Sequence, residues 1–260
     1  MEKSLQLSVS IIAKNEEIGL RRALESLDGI AEEIIVVHND CTDRTVQVAL
    51  EFGAKCYEKK WSGFIDQKNF ALSKCTQKWI LCIDADEALS EELRRSIQEF
   101  IVGIDAGSKV SGVCFNRCSF FLGKWIKHGD WYPDRKLGLV QKGTACWVGI
   151  NPHAKLELIN STSKVLLKGD LEHYSFIGIK NLTEKSIAYA DVFISQEKTN
   201  STSKNALGIA VLRATWRFIR CYFLRLGFMD GSVGFIIAFS IAHETLLKHG
   251  GKWELLNVKQ

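Results

Sequence analysis

The stretch from Trp79 to Leu89, WILCIDADEAL, runs an apolar segment straight into acids. Trp79-Ile80-Leu81-Cys82-Ile83 is a short, unbroken apolar run, the pattern of a strand covered on both faces. Asp84, Asp86 and Glu87 follow within four positions. Carboxylates this close oppose one another's ionisation unless positive charge lies among them. Asp84 and Asp86 form a D-x-D pair, and residues two apart on an extended segment point to the same side. Both carboxylates can then face one ligand. Their hard oxygens suit Mg2+ or Mn2+, ions that take one or two carboxylates and leave room for substrate phosphates and water. The plain alternative is that the acids serve only to cap the helix beginning after Ser90.

Outward from this stretch, strand and helix signals alternate. Leu7 to Ala13 and Glu33 to Val37 are apolar runs, and Ala54 to Tyr57 reads as a short strand. Between them, Glu16 to Leu27 places Ile18, Leu20, Ala23, Leu24 and Leu27 at helical spacing. Thr42 to Phe52 and Asp66 to Lys74 also read as helices, with Gly53 as a C-terminal cap. Ser90 caps a further helix to Ile101, with Glu91 and Glu92 in its first turn. Such alternation predicts right-handed βαβ units and an α/β fold on a mainly parallel sheet, helices on both faces. Beyond Val110 the pattern turns to antiparallel strands, and from about Asn181 to helices. Residues 1–180 are expected to form the catalytic domain and 181–260 a helical extension.

Ligands of open parallel sheets bind beyond the carboxyl ends of the strands. Three such ends carry polar clusters: Lys14-Asn15-Glu16-Glu17, His38 to Asp43, and Asp84 to Glu87. No G-x-G-x-x-G and no G-x-x-x-x-G-K-[ST] occurs, which argues against dinucleotide and P-loop chemistry. A nucleoside diphosphate would be held by side chains and a metal instead.

The 260 residues are 46% hydrophobic and 25% charged, so a sizeable core can be buried. The eight cysteines follow no disulfide or zinc spacing and read as buried free thiols. No secretory leader is expected from the first residues. The net charge of +4 is uneven: residues 180–260 hold 11 Lys and Arg against 6 Asp and Glu, while the body is close to neutral. A basic tail on a neutral body suggests an anionic partner, and nucleic acid is the weaker choice because the motif-bearing half is not basic.

The segments SVSIIAKNEE, EIIVVHNDCTDRT, QKNFAL and WILCIDADEALS resemble, in order and spacing, the N-terminal half of inverting family-2 glycosyltransferases with the GT-A fold. FFLGKWIKHGDWYPDRKLGLV, NPHAKLEL, LEHYSF and FLRLGFMDG are similar to a narrower subgroup, the lipopolysaccharide-core β-1,4-glucosyltransferases. The resemblance implies donor contacts from Ala13, Lys14 and Glu16, from His38 with Asp40, and from Lys68, Asn69 and Asp84. It implies Asp86 as the Mg2+ or Mn2+ ligand, and Trp131, Tyr132 and Arg135 on the sugar and acceptor side. A UDP-sugar donor, a glycan or lipid-linked acceptor and a place on the cytoplasmic face of the inner membrane also follow from it. Two positions depart from the pattern. His38 stands where the family has an acid that reads the base, and Asp40, two residues on, is the candidate substitute. Ala154 stands where the general base is expected, so the base is sought at Asp134 or His153, with Asp130 and Glu157 as nearby acids. A catalytically silent relative that binds a nucleotide sugar or a membrane partner is the alternative. His173 and Tyr174 read equally as a buried pair or as functional groups. Trp125, Trp131 and Tyr132 read as core aromatics or as a sugar platform.

Asn205 to Phe228 mixes large apolar residues with Arg213, Arg217, Arg220 and Arg225. At ~100° per residue the first three arginines share one helix face. A cationic, aromatic helix of this kind suits a membrane interface; packing on the enzyme or at a dimer interface is the other reading. Val233 to Ala242 is shorter than the ~20 residues of a spanning helix.

Overall fold

The computed structural model describes residues 5–105, 107–151, 153–159, 163–196 and 206–257. The chain divides into two compact units: residues 1–117 with 135–174, and residues 118–134 with 175–260.

The first unit alternates as the periodicity predicts: β1 (Leu7–Ala13), α1 (Glu17–Glu25), β2 (Glu33–His38), α2 (Thr45–Glu51), β3 (Lys55–Glu58), α3 (Phe64–Lys74) and β4 (Trp79–Cys82). After β5 (Glu87–Leu89) and α4 (Glu91–Gly103) come the longer strands β6 (Val110–Phe121), β8 (Asp134–Gln141) and β11 (Ser163–His173), with β7 (Lys124–Trp125) between β6 and β8. The strands run β3-β2-β1-β4-β8-β6-β11-β5 across one sheet, with β7 paired to β6; β9 (Ala145–Ile150) and β10 (His153–Leu158) form a separate antiparallel pair. β3, β2, β1 and β4 are mutually parallel, and β8 joins β4 antiparallel. The parallel part is thus the N-terminal half of a mixed sheet.

Alternation along the strands divides the core in two. Val9, Ile11, Val36 and Leu81 pack with Leu20, Leu24, Val48, Leu93 and Ile97 from α1, α2 and α4. Ile35, Val37, Ile80 and Cys82 pack instead with Ala71 and Cys75 at α3, and with Val140 and Leu156. Each buried leucine or isoleucine here contributes about 2 kcal/mol relative to exposure. Ser90 caps α4 as expected, its Oγ accepting from the Leu93 N–H at 3.2 Å.

The second unit gathers β7, a 3-10 turn at Gly129–Trp131, and the helices α5 (Ile179–Gln196), α6 (Ala206–Ile219) and α7 (Gly231–Asn257). Phe121, Ile126, Leu182, Val233 and Ile237 form its core, with Trp131 and Phe176 packed against it. The helix expected over 205–228 ends earlier, in a π-helical turn at Arg220–Leu224. A left-handed residue, Leu226, and a 3-10 turn at Gly227–Asp230 then lead into α7. The bend needs glycine at 234, where a Cβ would stand 1.8 Å from the Gly227 carbonyl oxygen. The single boundary expected at residue 180 therefore differs from the observed division, because 118–134 belongs with the helices. Among the described residues no single helix is long and apolar enough to cross a membrane; 207–224 and 227–255 reach that length and apolarity only together, bent by 70°.

Candidate active site

The order β2-β1-β4 sets three strand ends side by side, with Ala13 opposite His38 and Ser10 opposite Cys82. The loops leaving β1 and β2 are stitched together. Thr42 N–H donates to Asn15 Oδ1 at 2.8 Å, Glu16 N–H to Thr45 Oγ1 at 2.7 Å, and Glu17 N–H to Asp43 Oδ2 at 3.2 Å. Lys14 and Glu16 are exposed on this edge, and His38 is half-buried at the end of β2. Asp40 has φ +41°, so the two-residue alternation that would set its carboxylate beside His38 is broken at that position. That basis for treating Asp40 as the substitute acid does not hold; its place is set by a turn.

The acids after β4 are answered one by one from the protein. Lys68 Nζ, reaching over from α3 with its side chain only 12% exposed, meets Asp84 Oδ1 at 2.5 Å. His173 Nε2, at the end of β11, lies 3.4 Å from Asp86 Oδ2. Arg117 Nη1 lies 3.5 Å from the buried Glu87, which also accepts from the Asp84 N–H at 2.9 Å. Burial opposes ionisation of Asp84, but Lys68, with His173 and Arg117 behind it, outweighs that and holds the carboxyl below its usual range. Glu87 moves the other way: burial and the neighbouring Asp84 charge push it up against His173 and Arg117. Lys68 is raised; burial works against its charge and Asp84 prevails.

The repulsion read from the sequence is thus relieved largely by Lys68 and Arg117 and does not by itself demand a metal. The donors still suit one. Asp86 is 30% exposed, and the 3.4 Å gap to His173 is long for a hydrogen bond, about the separation of two donors able to share an ion. Among the described residues no group of three His, Cys, Asp or Glu is arranged around a metal position. The set fits an Mg2+ or Mn2+ ion that completes its shell with phosphate and water, and it does not fit a closed structural site.

Other expected residues fall elsewhere. The Asn69 amide is engaged on both sides with the Trp147 backbone, at 2.9 Å each way, so Asn69 clasps β9 rather than presenting its amide to a ligand. Lys68 Nζ lies 4.2 Å from the centroid of the Trp147 ring that follows this clasp. Trp131 is half-buried, stacks on Phe176 at 4.7 Å and also packs on Phe121. Trp125 packs edge-on against Phe120. Tyr132 carries Lys127 over its ring, and Asp134 opens β8; both lie in the second unit, whereas the exposed Arg135 lies in the first. The carboxylate of Asp130, 7% exposed, is gripped by Arg217, Arg220 and Arg225. His153 opens β10, with its backbone opposite Ile150 and Ala154 opposite Gly149; its side chain lies outside the described residues. Glu157 is exposed on the same strand.

Two contributors went unread in the sequence. Arg117 sits mid-strand in a segment with no motif, and only the β6 pairing brings it to Glu87. Gly19 lets α1 approach the D-x-D turn: a Cβ there would stand 2.9 Å from the Ala85 carbonyl oxygen. His173 and Tyr174 lie beside Asp86 in the D-x-D turn. The Tyr174 N–H donates to the Asp86 carbonyl at 3.0 Å, and Arg22 lies over the Tyr174 ring at 3.7 Å.

A mixed sheet with helices on both faces thus brings acids and a lysine together beyond its parallel strand ends, the edge at which open α/β sheets bind ligands. The sequence profile of Glycosyl transferase family 2 matches residues 8–148. The chain belongs to that family and is a glycosyltransferase. It is 31% identical over 254 residues to an uncharacterised glycosyltransferase of Rickettsia typhi, covering 94% of this chain and 85% of that protein. It is 27% identical over 271 residues to the lipopolysaccharide core biosynthesis glycosyltransferase LpsC of Rhizobium meliloti, covering 97% and 96% of the two chains. Among solved structures, S. aureus TarS 1-349 in complex with UDP-GlcNAc aligns over 96% of this chain and 91% of its own, at 13% identity and a TM-score of 0.47.

Proposed function

We propose that this enzyme transfers a hexose, glucose foremost, with inversion from a nucleoside-diphosphate sugar to a lipopolysaccharide-core or other lipid-linked glycan. UDP-sugars are the leading donors, and the cytoplasmic face of the inner membrane is the place of work. The observation that carries the reading is the meeting of Lys68 with Asp84 and of His173 with Asp86 at the parallel strand ends of a family-2 chain. The likeness to LpsC along 97% of the chain supports the acceptor class.

In this reading Ala13, Lys14, Glu16 and His38 border the base and ribose, and Lys68 and Asp84 border the ribose and diphosphate. Asp86 and His173 would hold Mg2+ or Mn2+. When bound, the ion supplies positive charge to the departing diphosphate. The acceptor oxygen attacks the anomeric carbon from the face opposite the diphosphate. Its proton passes to Asp134 or His153, and the bond from the sugar to the diphosphate breaks. Tyr132 and Arg135 border the acceptor side.

The test is nucleotide-sugar turnover with and without Mn2+ in the parent and in Asp86→Ala. The parent is expected to turn over a UDP-sugar in a metal-dependent way, and the variant to lose at least about a hundredfold. A parent with neither metal-dependent turnover nor metal-dependent donor binding would overturn the reading. If Asp134→Asn and His153→Ala both keep full transfer, the base lies elsewhere.

A further inference from the structure

Around the bend between α6 and α7, large apolar side chains face outward. Leu212, Trp216, Phe223, Leu224, Phe228 and Met229 are all exposed, Leu224 at 62% and Met229 at 58%. Exposed apolar surface gathered this densely marks an interaction site. Its charge is one-sided. Residues 206–243 contain Arg213, Arg217, Arg220 and Arg225 and a single acid, Asp230. Asp230 is buried, with both oxygens on His128: the backbone N–H at 3.0 Å and Nδ1 at 2.9 Å.

The arginines do not form the simple outward stripe that a helical wheel suggests. Arg217 Nη1 and Arg220 Nη1 reach Asp130 Oδ2 at 3.0 and 3.1 Å, and Arg225 Nε reaches Oδ1 at 3.5 Å. One buried carboxylate therefore gathers three partly exposed guanidiniums at the bend and neutralises only one of them. The result is an apolar knob beside a fixed cluster of excess positive charge, the combination that holds amphipathic helices in a membrane interface.

We propose that this bend docks on an anionic lipid surface. Phe223, Leu224, Phe228 and Met229 enter the boundary between headgroups and acyl chains, while Arg217, Arg220 and Arg225, held by Asp130, meet lipid phosphates. Charge complementarity selects this occupant. A second copy of the chain would bring the same arginines against themselves, whereas a phosphate-bearing surface neutralises them. The docking names the surface used in the membrane location given above and rests on that reading only for the source of the lipid. Vesicle binding needs no donor, metal or acceptor, so its failure and the failure of transfer are separable.

The experiment is flotation of the full chain with phosphatidylcholine vesicles, with and without phosphatidylglycerol. Binding is expected only with the anionic lipid and is expected to weaken as salt is raised. The double variant Phe228→Ser with Met229→Ser, checked for an unchanged thermal midpoint, should lose at least about tenfold in affinity. Arg225→Ala should lose about fivefold. Absence of binding, equal binding to neutral vesicles, or variants that bind as the parent does would overturn the proposal. So would a parent dimer, seen by sedimentation, that the Phe228 and Met229 substitutions dissociate, since the face would then be covered by a second copy.

Discussion

Glu33, at the start of β2, is almost wholly buried and fully engaged. Its oxygens accept from Ser8 Oγ at 2.5 Å, Thr76 N–H at 2.7 Å, Lys55 Nζ at 2.9 Å and Thr76 Oγ1 at 3.0 Å. Burial alone would raise its carboxyl, but these donors outweigh it and lower the pKa from 4.5 to about 2. A carboxyl depressed on folding stabilises the fold above its unfolded value. That contribution is lost as pH falls from about 4.5 toward 2 and amounts to about 3 kcal/mol at neutrality. Urea unfolding should therefore show stability falling through this window, and Glu33→Gln should both lower neutral stability and flatten the acid fall. A variant as stable as the parent near neutrality, with the same acid limb, would show that the network contributes nothing. In the sequence Glu33 was only the first letter of an apolar run. Its role depends on Ser8 and Thr76, 25 and 43 residues away in the chain, which no local pattern connects. Asp84 and Asp86 were legible because both lie in one motif. Their partners Lys68 and His173 were legible through the family resemblance and as an ambiguous buried histidine, whereas Arg117 carried no signal at all.

The elements followed their periodicity where packing alone decides, and departed where side chains serve neighbouring loops. β1 matches its apolar run residue for residue, Leu7–Ala13. α2 was expected from Thr42 but begins at Thr45. The intervening residues turn outward to bond other groups: Thr42 N–H to Asn15, and Asp43 Oδ1 accepting from Thr45 N–H at 2.9 Å. The polar strand ends thus shorten the helices they precede, and the same bonds hold two of the three site loops together. α1 shows a related conflict. On helix propensity alone, Gly19→Ala should stabilise by about 1 kcal/mol. The added methyl would stand 2.9 Å from the Ala85 carbonyl oxygen and 3.1 Å from Glu16 Oε2, so the backbone must shift to admit it. We expect Gly19→Ala to lower the thermal midpoint and raise the donor KM, because α1 or the D-x-D turn must move. Gly103→Ala, at the end of α4 with open space around it, should be neutral or mildly stabilising. Equal behaviour of the two variants in melting and donor titration would show that the close approach at Gly19 is not a constraint.

At the scale of the whole chain, the two units are interleaved rather than consecutive. The strand β6 runs from residue 110 to 121, yet its last residues already belong with the helices. An unbroken strand pattern carries no mark of such a handover, which explains why composition and periodicity gave one boundary near 180. The consequence is physical. Phe121, Ile126 and Trp131 are covered within their own unit by Phe176, Leu182, Val233 and Ile237. A chain ending at residue 180, where sequence patterning places the edge of the catalytic part, would keep the first three and lose Leu182, Val233 and Ile237. The gripped Asp130 would lose Arg217, Arg220 and Arg225 at the same time. Exposing that much aromatic surface removes several kcal/mol, comparable to the whole stability of an ordinary domain. The truncated chain is therefore expected to aggregate or to bind a hydrophobic dye strongly, without a cooperative melt. Substituting Ala at the exposed Leu212 and Trp216 in the full chain should leave the melt nearly unchanged. A soluble 1–180 fragment that melts cooperatively at the parent's midpoint would refute the interleaving as a requirement for folding, and would make the helical part a detachable appendage after all.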